Sequence, residues 1–498
     1  MVKMSSQGTA ALHPLARRAG DVPPAIRRSL ALALLAGLLL RLFFLLRFPY
    51  TAGDSLIYGD IAHNLLVHHV YGFQKVLGAA TGAPRPTLIR LPGYPLFLAA
   101  CFRIFGLDRF GPVLFVQAVL DLGTCCLLAA TAARLFGRRA GVAALWLSAL
   151  CPFTANYAAA PLTETLTLFC IAAAFFSLKR WQKKVSDSGG ARFDRWLLLL
   201  ALALAYAILL RPEQGLLAAA MLPAVVWISL RASRASRASG PQGMLRALRP
   251  AVAVAVLTIL PLVPWTIRNW QVFHVFEPLA PRFATDPGET NPSGFQRWYR
   301  TWAIEFASTE SVYWPYDGTP ISLSDLPARA FDSPEQYVAT DALLNTYNDN
   351  PDATPEIDKR FNALGIERIR HHGFRYYVQL PLARLLNMTL RPRTEMLPVP
   401  VVWWRFREHP RSSFVALALA ALNLMFIALA ALTAVRRELW SRRDPLLWSM
   451  LATIGMRCAL LLTLDNSEPR YTLEFYPVLL ILGSATIARW NLARIQRV

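Results

Sequence analysis

The sequence predicts an all-α polytopic membrane protein, and three observations carry that reading. Hydrophobic residues make up 55% of the chain and charged residues only 17%, below the roughly 25% charged residues of soluble domains. Ten apolar stretches recur with lengths near the ~20 residues that cross a bilayer. The basic residues, finally, collect in alternate connections between those stretches.

The first apolar stretch, 28–48, follows a basic segment, 1–27, that has no A-x-A-like cleavage pattern. It reads as an uncleaved signal anchor on a cytoplasmic N-terminus. A sizeable external loop, 49–111, comes next. Its start, GDSLIYGDIAHNLL (53–66), places Ile57, Ile61 and Leu65 on one helical face, with Asp54 near the helix start, where the dipole favours a carboxylate. Its end, LPGYPLFLAACFRIFG (91–106), is apolar, contains Arg103, and has a helical part of only about 14 residues, short of a span. Counting it as a span would invert every later loop, so it reads as an external juxtamembrane or re-entrant helix.

The stretches 112–134, 141–159, 161–180, 196–211, 213–230 and 250–270 complete a seven-span module over 28–270. Pro212 makes a tight hairpin of the fifth and sixth spans. The segment 271–412 is external and nearly neutral, with 15 Lys/Arg and 17 Asp/Glu. It is too rich in Trp and Tyr for a disordered linker and predicts a small cap, mixed or mainly helical. Within it, 333–364 reads as helical with a turn at Asn350-Pro351, and 373–387 as an amphipathic interfacial helix carrying Arg375 and Arg384. The stretches 413–435, 445–465 and 473–490 form a C-terminal three-span module over 413–498.

A net charge of +21 and a pI near 10.3 could suggest nucleic acid. The cations gather instead in 1–27, 134–139, 179–195, 231–249, 436–443 and 489–498. That is the positive-inside pattern of a multi-pass inner-membrane protein with both termini in the cytoplasm, not a nucleic-acid footprint. RASRASRAS (231–239) is a solvated basic loop. No other internal repeat is evident, which weakens a transporter reading. The six cysteines (Cys101, Cys125, Cys126, Cys151, Cys170, Cys458) all lie in apolar segments without CxxC or Cys/His metal spacing. His63, His68 and His69 belong more simply to the surface of an amphipathic helix than to a metal site.

With that topology, polar residues from distant segments meet one membrane face: Asp54 and Asp60; Glu164 in PLTETL; Arg211 and Glu213 in LLRPEQG; Arg268 in PWTIRNW; and Glu468, Arg470 and Tyr471 in DNSEPRY. Any single one is readily an interfacial anchor or a cap. Ionisable groups at a membrane are costly, and a joint pattern on one side points to a functional site. A carboxylate fixed there can take a proton from an acceptor hydroxyl. Arg90, Arg211 and Arg470 offer planar, always-charged forks for a phosphate.

On these motifs, together with RLPGYPLFLAA (90–100) and EPRYTLEFYPVLL (468–480), the chain resembles the GT-C superfamily of membrane glycosyltransferases. It looks most like the bacterial dolichyl-phosphate-mannose–protein mannosyltransferase-like family, which includes the aminoarabinose transferases. The resemblance implies an inverting transfer from a polyprenyl-phosphate sugar to a lipid, glycan or protein acceptor on the periplasmic side. It implies Asp54 as general base, Asp60 as second choice, and Glu164 as the second acidic position. Arg90, Arg211, Arg268 and Arg470 become candidates for the donor phosphate, and Tyr58, Tyr94, Glu213, Glu468 and Tyr471 for substrate contact. No cofactor is required by the motifs; if a divalent metal takes part, Asp54 and Glu164 would hold it. The alternative is a transporter or flippase of a lipid-linked saccharide, for which Arg41, Asp121 and Arg457 inside the spans would be the functional charges.

Overall fold

A computed structural model describes residues 23–74, 82–235, 241–441 and 443–495. The basic segment 1–22 and the end of the RASRASRAS repeat, 236–239, lie outside the described residues. Among the described residues the chain is built from helices, with one pair of two-residue strands in the first loop.

The membrane part begins with α1 (Pro24–Arg47), α2 (Asp54–Val67), α3 (Gly93–Phe105), α4 (Phe110–Phe136), α5 (Arg138–Ala149), α6 (Pro152–Tyr157), α7 (Glu164–Ser188) and α8 (Arg195–Leu210). It continues with α9 (Gly215–Ala235), α10 (Pro241–Ile259) and α11 (Leu262–Phe273). The polar segment holds α12 (Ser293–Arg300), α13 (Phe306–Ser308), α14 (Pro334–Asp349), α15 (Pro355–His371) and α16 (Leu380–Leu390). The chain closes with α17 (Pro410–Ala434), α18 (Arg437–Ser441), α19 (Pro445–Leu461) and α20 (Tyr476–Ile495). Strands β1 (Gly72–Phe73) and β2 (Arg85–Pro86) pair antiparallel.

Among the described residues, six stretches are long and apolar enough to cross a membrane: Pro24–Arg47, Phe110–Phe136, Pro212–Arg234, Ala247–Phe273, Pro410–Ala434 and Pro469–Trp490. The other four expected spans differ for separate reasons. The run 141–159 is broken before Pro152 into α5 and α6, because the ring blocks a continuing helix. Helix α7 carries Glu164 at one end and Lys179, Arg180, Lys183 and Lys184 at the other, leaving a shorter apolar middle. Helices α8 and α19 are apolar with only 16 and 17 residues. Between α8 and α9 the chain turns through a 3-10 segment, Pro212–Gln214, where the hairpin was expected.

Helix α3 is 13 residues long, too short to span and in keeping with a juxtamembrane helix. Gly93 at its start lies so close to α8 that a Cβ would sit 2.6 Å from the Leu209 carbonyl. Only glycine lets the two backbones meet there.

One core runs through the bundle from Ala33 to Leu482, so the segments 28–270 and 413–498 pack together. Helix α20 is its centre, largely buried against α17, α5 and α4. Arg41 lies fully buried in α1. Its guanidinium donates to Asp121 Oδ2 at 2.9 Å, to the Ala149 carbonyl at 2.6 Å and to the Gly37 carbonyl at 2.9 Å. A buried charge is tolerable when it is paired and hydrogen-bonded in this way.

The polar segment has an aromatic core of its own, in which Phe295, Trp298, Trp302, Tyr316, Tyr347 and Phe361 are buried. Phe295 and Tyr316 stack with ring centres 3.7 Å apart. Helices α14 and α15 flank Asn350-Pro351, as the turn signal predicts. The interfacial helix begins with a π turn at Arg375–Gln379 and continues as α16. Phe374, Tyr377, Leu382 and Leu386 are exposed on it, whereas Arg384 is buried and donates to the Arg300 and Ala303 carbonyls.

Candidate active site

The ends of the membrane helices that face the aromatic segment enclose a cleft of about 1150 Å³. Nine of the residues singled out in the sequence line it: Asp54, Tyr58, Arg90, Glu164, Arg211, Glu213, Glu468, Arg470 and Tyr471. They come from five separated segments, so the fold gathers what the topology only placed on one side. Tyr313, Trp314, Tyr316 and Asp317 of the aromatic segment line the same cleft.

Asp54 is set by a backbone device. Gly53 adopts φ +55° and ψ −125°, a conformation that L side chains avoid, and the helix starts at the next residue. The carboxylate therefore sits in the first turn of α2, where the dipole favours it. Its Oδ1 accepts from Arg90 Nη2 at 2.8 Å and its Oδ2 from Arg470 Nη1 at 2.7 Å. Burial alone would raise the Asp54 carboxyl. The charges of Arg470 and Arg90, with their hydrogen bonds, overcome that and hold it well below the usual carboxylate range. Beside it, burial pushes the Tyr58 hydroxyl up to about 12.

A second charged cluster lies deeper. Arg211 meets Glu164 at 3.0 Å, Glu213 at 2.7 Å and Glu474 at 3.5 Å. Arg457 reaches Glu213 at 3.4 Å and Glu474 at 3.1 Å, and Gln214 donates to Glu474. Arg470 also pairs with Glu468, whose Oε1 accepts from the Tyr471 hydroxyl at 2.9 Å. Arginines and carboxylates thus alternate along the cleft, each charge answered by a neighbour.

Three of the candidate residues do not line the cleft. Asp60 faces the loop behind α2, where it accepts from the Gln74 amide at 2.8 Å and from Asn64 Nδ2 at 3.0 Å. Tyr94 is buried with its hydroxyl on Gln117 Oε1 at 2.6 Å. Arg268 ties the loop together, donating to the Thr87 carbonyl at 2.7 Å and the Tyr71 carbonyl at 2.8 Å among the rings of Tyr71, Trp265 and Phe273. The expected apolar face of α2 also differs. Ile61 is buried with Tyr58, Asp60 and Asn64, while Ile57 and Leu65 are half-buried.

Two residues of the deeper cluster differ from the sequence expectation. Arg457 is expected only in the transporter alternative, as a charge inside a span, and Glu474 is not singled out, although it stands in the EPRYTLEFYPVLL motif. The signal was an acid in an otherwise apolar run, the same signal that marked Glu164. Asp465 and Arg282 also line the cleft. Burial raises the Asp465 carboxyl against the charges of Arg300, Arg282 and Arg384.

If a divalent metal takes part, Asp54 and Glu164 are the residues expected to hold it. Both oxygens of Asp54 already accept from guanidinium groups, and Glu164 is engaged by Arg211. Among the described residues no group of three His, Cys, Asp or Glu converges as a metal site would. As arranged, this donor set does not fit a resident divalent ion.

Fold and site together define an integral membrane protein of the all-α class with a charged cleft at one end of its helix bundle. Residues 85–265 match the family described as dolichyl-phosphate-mannose-protein mannosyltransferase, and the resemblance to GT-C membrane glycosyltransferases holds through that segment. It contains Arg90, Glu164, Arg211 and Glu213, whereas Asp54 and Arg470 lie outside it. No curated protein sequence matches the chain.

Among solved structures, the chain is similar to the oligosaccharyltransferase AglB of Archaeoglobus fulgidus, solved with an inhibitory peptide and a dolichol-phosphate. The identity is 14%, over 95% of this chain and 51% of that one, with a TM-score of 0.46. A structure of the Archaeoglobus fulgidus oligosaccharyltransferase tethered to an acceptor peptide gives 13% identity, 95% and 50% coverage and a TM-score of 0.49. ArnT from Cupriavidus metallidurans, bound to undecaprenyl phosphate, gives 17% identity, 93% and 78% coverage and a TM-score of 0.38. The chain spans about half the length of the oligosaccharyltransferase it matches. Such distant likeness transfers no residue role.

Proposed function

We propose that this protein is a glycosyltransferase that moves a sugar from a polyprenyl-phosphate donor to an acceptor hydroxyl at the extracytoplasmic face of the inner membrane. The observation that carries this reading is the carboxylate of Asp54, held in a large cleft between two arginines, Arg90 and Arg470. The family description names a dolichyl-phosphate sugar, which is the donor class proposed here. The cleft volume of about 1150 Å³ is above the ~300–1,000 Å³ of ordinary ligand pockets, room for a sugar phosphate and an acceptor together.

The carboxylate stands where a phosphate would. Arg90 Nε is buried without a hydrogen-bond partner, so this guanidinium has a donor to spare. A donor phosphate entering the cleft takes over Arg90 and Arg470 as a charge-assisted, forked contact. Asp54 is released and its affinity for a proton returns toward the ordinary carboxylate value. The acceptor hydroxyl oxygen then attacks the anomeric carbon from the face opposite the phosphate. The anomeric C–O bond breaks, and its electron pair leaves on the polyprenyl phosphate. The hydroxyl proton goes to Asp54, and the sugar is transferred with inversion. Arg90 and Arg470 face the charge that develops on the leaving phosphate, where preorganised donors contribute most. Glu164, Arg211, Glu213 and Tyr471 line the remainder as contacts for sugar and acceptor.

A transporter or flippase would need mobile charges inside the bundle. Arg41 and Asp121 are instead locked to each other, and Arg457 faces the cleft between Glu213 and Glu474. The proposal is tested with purified protein, a set of polyprenyl-phosphate sugars and a cell-envelope extract as acceptor. Release of polyprenyl phosphate with loss of the lipid-linked sugar supports it. Movement of intact lipid-linked sugar across vesicles, without release, contradicts it.

A further inference from the structure

A second cavity, of about 380 Å³, opens at the other end of the bundle from the cleft, between the close of α4, α17 and α20 and the start of α5. Arg138, Arg139, Arg436 and Arg489 line it. Its lining acid, Glu438, pairs with Arg489, and among the described residues no carboxylate pairs with Arg138, Arg139 or Arg436 there. Basic residues that serve only as topological anchors would spread into the headgroup region. Here they converge on one concavity from helices far apart in the chain.

The backbone adds to the same field. Gly137, which also lines the cavity, is the N-cap of α5 at φ +95° and supplies no side chain to cap it. The first intrahelical bond that returns to it is made by the Gly141 amide. The amides of the first turn, at residues 138–140, are therefore left for an outside acceptor. An uncapped helix start beside several guanidinium groups is a ready site for a phosphate. Apolar lining from Phe136, Leu439 and Ala485 and the exposed rings of Trp440 and Trp490 nearby suit a ligand whose other end lies in the bilayer.

We propose that this cavity binds the phosphate headgroup of an anionic lipid, and that a headgroup with two phosphates fits it best. The cations of Arg138, Arg139 and Arg436 are matched more closely by two phosphate charges than by one. The site stands apart from the cleft and does not depend on the activity proposed for it.

The test uses the full-length protein, delipidated in neutral detergent, with bound species counted by native mass spectrometry. Diphosphatidylglycerol, phosphatidylethanolamine and inorganic pyrophosphate are titrated separately. The expected result is a preference of about tenfold or more for diphosphatidylglycerol over phosphatidylethanolamine, the scale of one well-made charged contact. The triple variant Arg138→Gln/Arg139→Gln/Arg436→Gln should lose it. Lys183→Gln/Lys184→Gln, which removes two cations from the same end of the bundle, should keep it. The triple Arg→Lys variant guards against misfolding and should retain a reduced preference. An unchanged preference in the Gln triple, or an equal loss in both Gln variants, overturns the site. Pyrophosphate binding as tightly as the lipid overturns the lipid as its ligand.

Discussion

Asp54 and Arg470 stand 416 positions apart in the chain and meet at 2.7 Å. The first opens a helix after the opening span; the second sits in the 3-10 turn Pro469–Phe475 that leads into α20. Closing the bundle of helices between them brings them together, and with Arg90 they form the charged head of the cleft.

The arginines of that head are expected to respond to lysine. Arg90→Lys and Arg470→Lys keep the charge but lose the planar fork that binds a phosphate through two hydrogen bonds. Each variant should weaken the apparent affinity for a polyprenyl-phosphate sugar by about tenfold, the order of one charged hydrogen bond, with thermal stability close to wild type. Donor-concentration dependence of the transfer rate measures this. Unchanged donor affinity in both variants would remove them from the phosphate site.

The pH dependence has a definite sign. In the folded protein the Asp54 carboxyl lies below its ordinary value, so pairing contributes stability that is fully present above the unfolded value of about 3.9 and is lost as pH falls through the folded value. The gap in melting temperature between wild type and Asp54→Asn should be steady from about pH 8 to 5 and narrow progressively below about pH 4. Turnover adds a second sign. The acid limb of kcat/KM reports the free enzyme and that of kcat the complex. If the donor phosphate releases Asp54, the acid limb of kcat lies at higher pH than that of kcat/KM. Coincident limbs would argue against the displacement.

Much of this head was legible in the sequence, because Asp54, Arg90, Glu164, Arg211 and Arg470 are ionisable groups beside apolar runs, which burial makes expensive. Their meeting in one cleft was not, since it depends on how α9, α19 and α20 pack. For that reason the sequence does not place Arg457 and Glu474 at the site, while Arg268 and Tyr94, equally well placed in their motifs, face away from it. Arg268 was drawn off by two carbonyls and three aromatic rings, Tyr94 by Gln117. Local sequence does not encode such long-range competitors. Fold class followed from the lengths of the apolar runs, but not the break at Pro152. Nor did composition say that the aromatic segment would present Tyr313, Trp314 and Tyr316 to the cleft.

The outward orientation proposed for the cleft rests on the charge of the loops. Cysteine substituted at the exposed Asn345, in α14, should react with a membrane-impermeant maleimide added to intact cells. Cysteine at Ser188, at the opposite end of α7, should react only after permeabilisation. The reverse pattern would turn the cleft and every residue in it toward the cytoplasm, and the proposed face would be wrong.

The most direct test of the account is the transfer rate of Asp54→Asn, with Asp60→Asn as its internal control. The amide keeps the shape of Asp54 but cannot take the acceptor's proton, and general-base help is typically worth about 10²–10⁴-fold. At equal amounts of folded protein, Asp54→Asn should lose transfer by at least that order. Asp60 binds the Gln74 amide and Asn64 behind the helix, so Asp60→Asn should lower the melting temperature and leave transfer within a few-fold of wild type, as expected where a structural hydrogen bond is weakened. Transfer at the wild-type rate by folded Asp54→Asn would contradict the central claim that this carboxylate is the base.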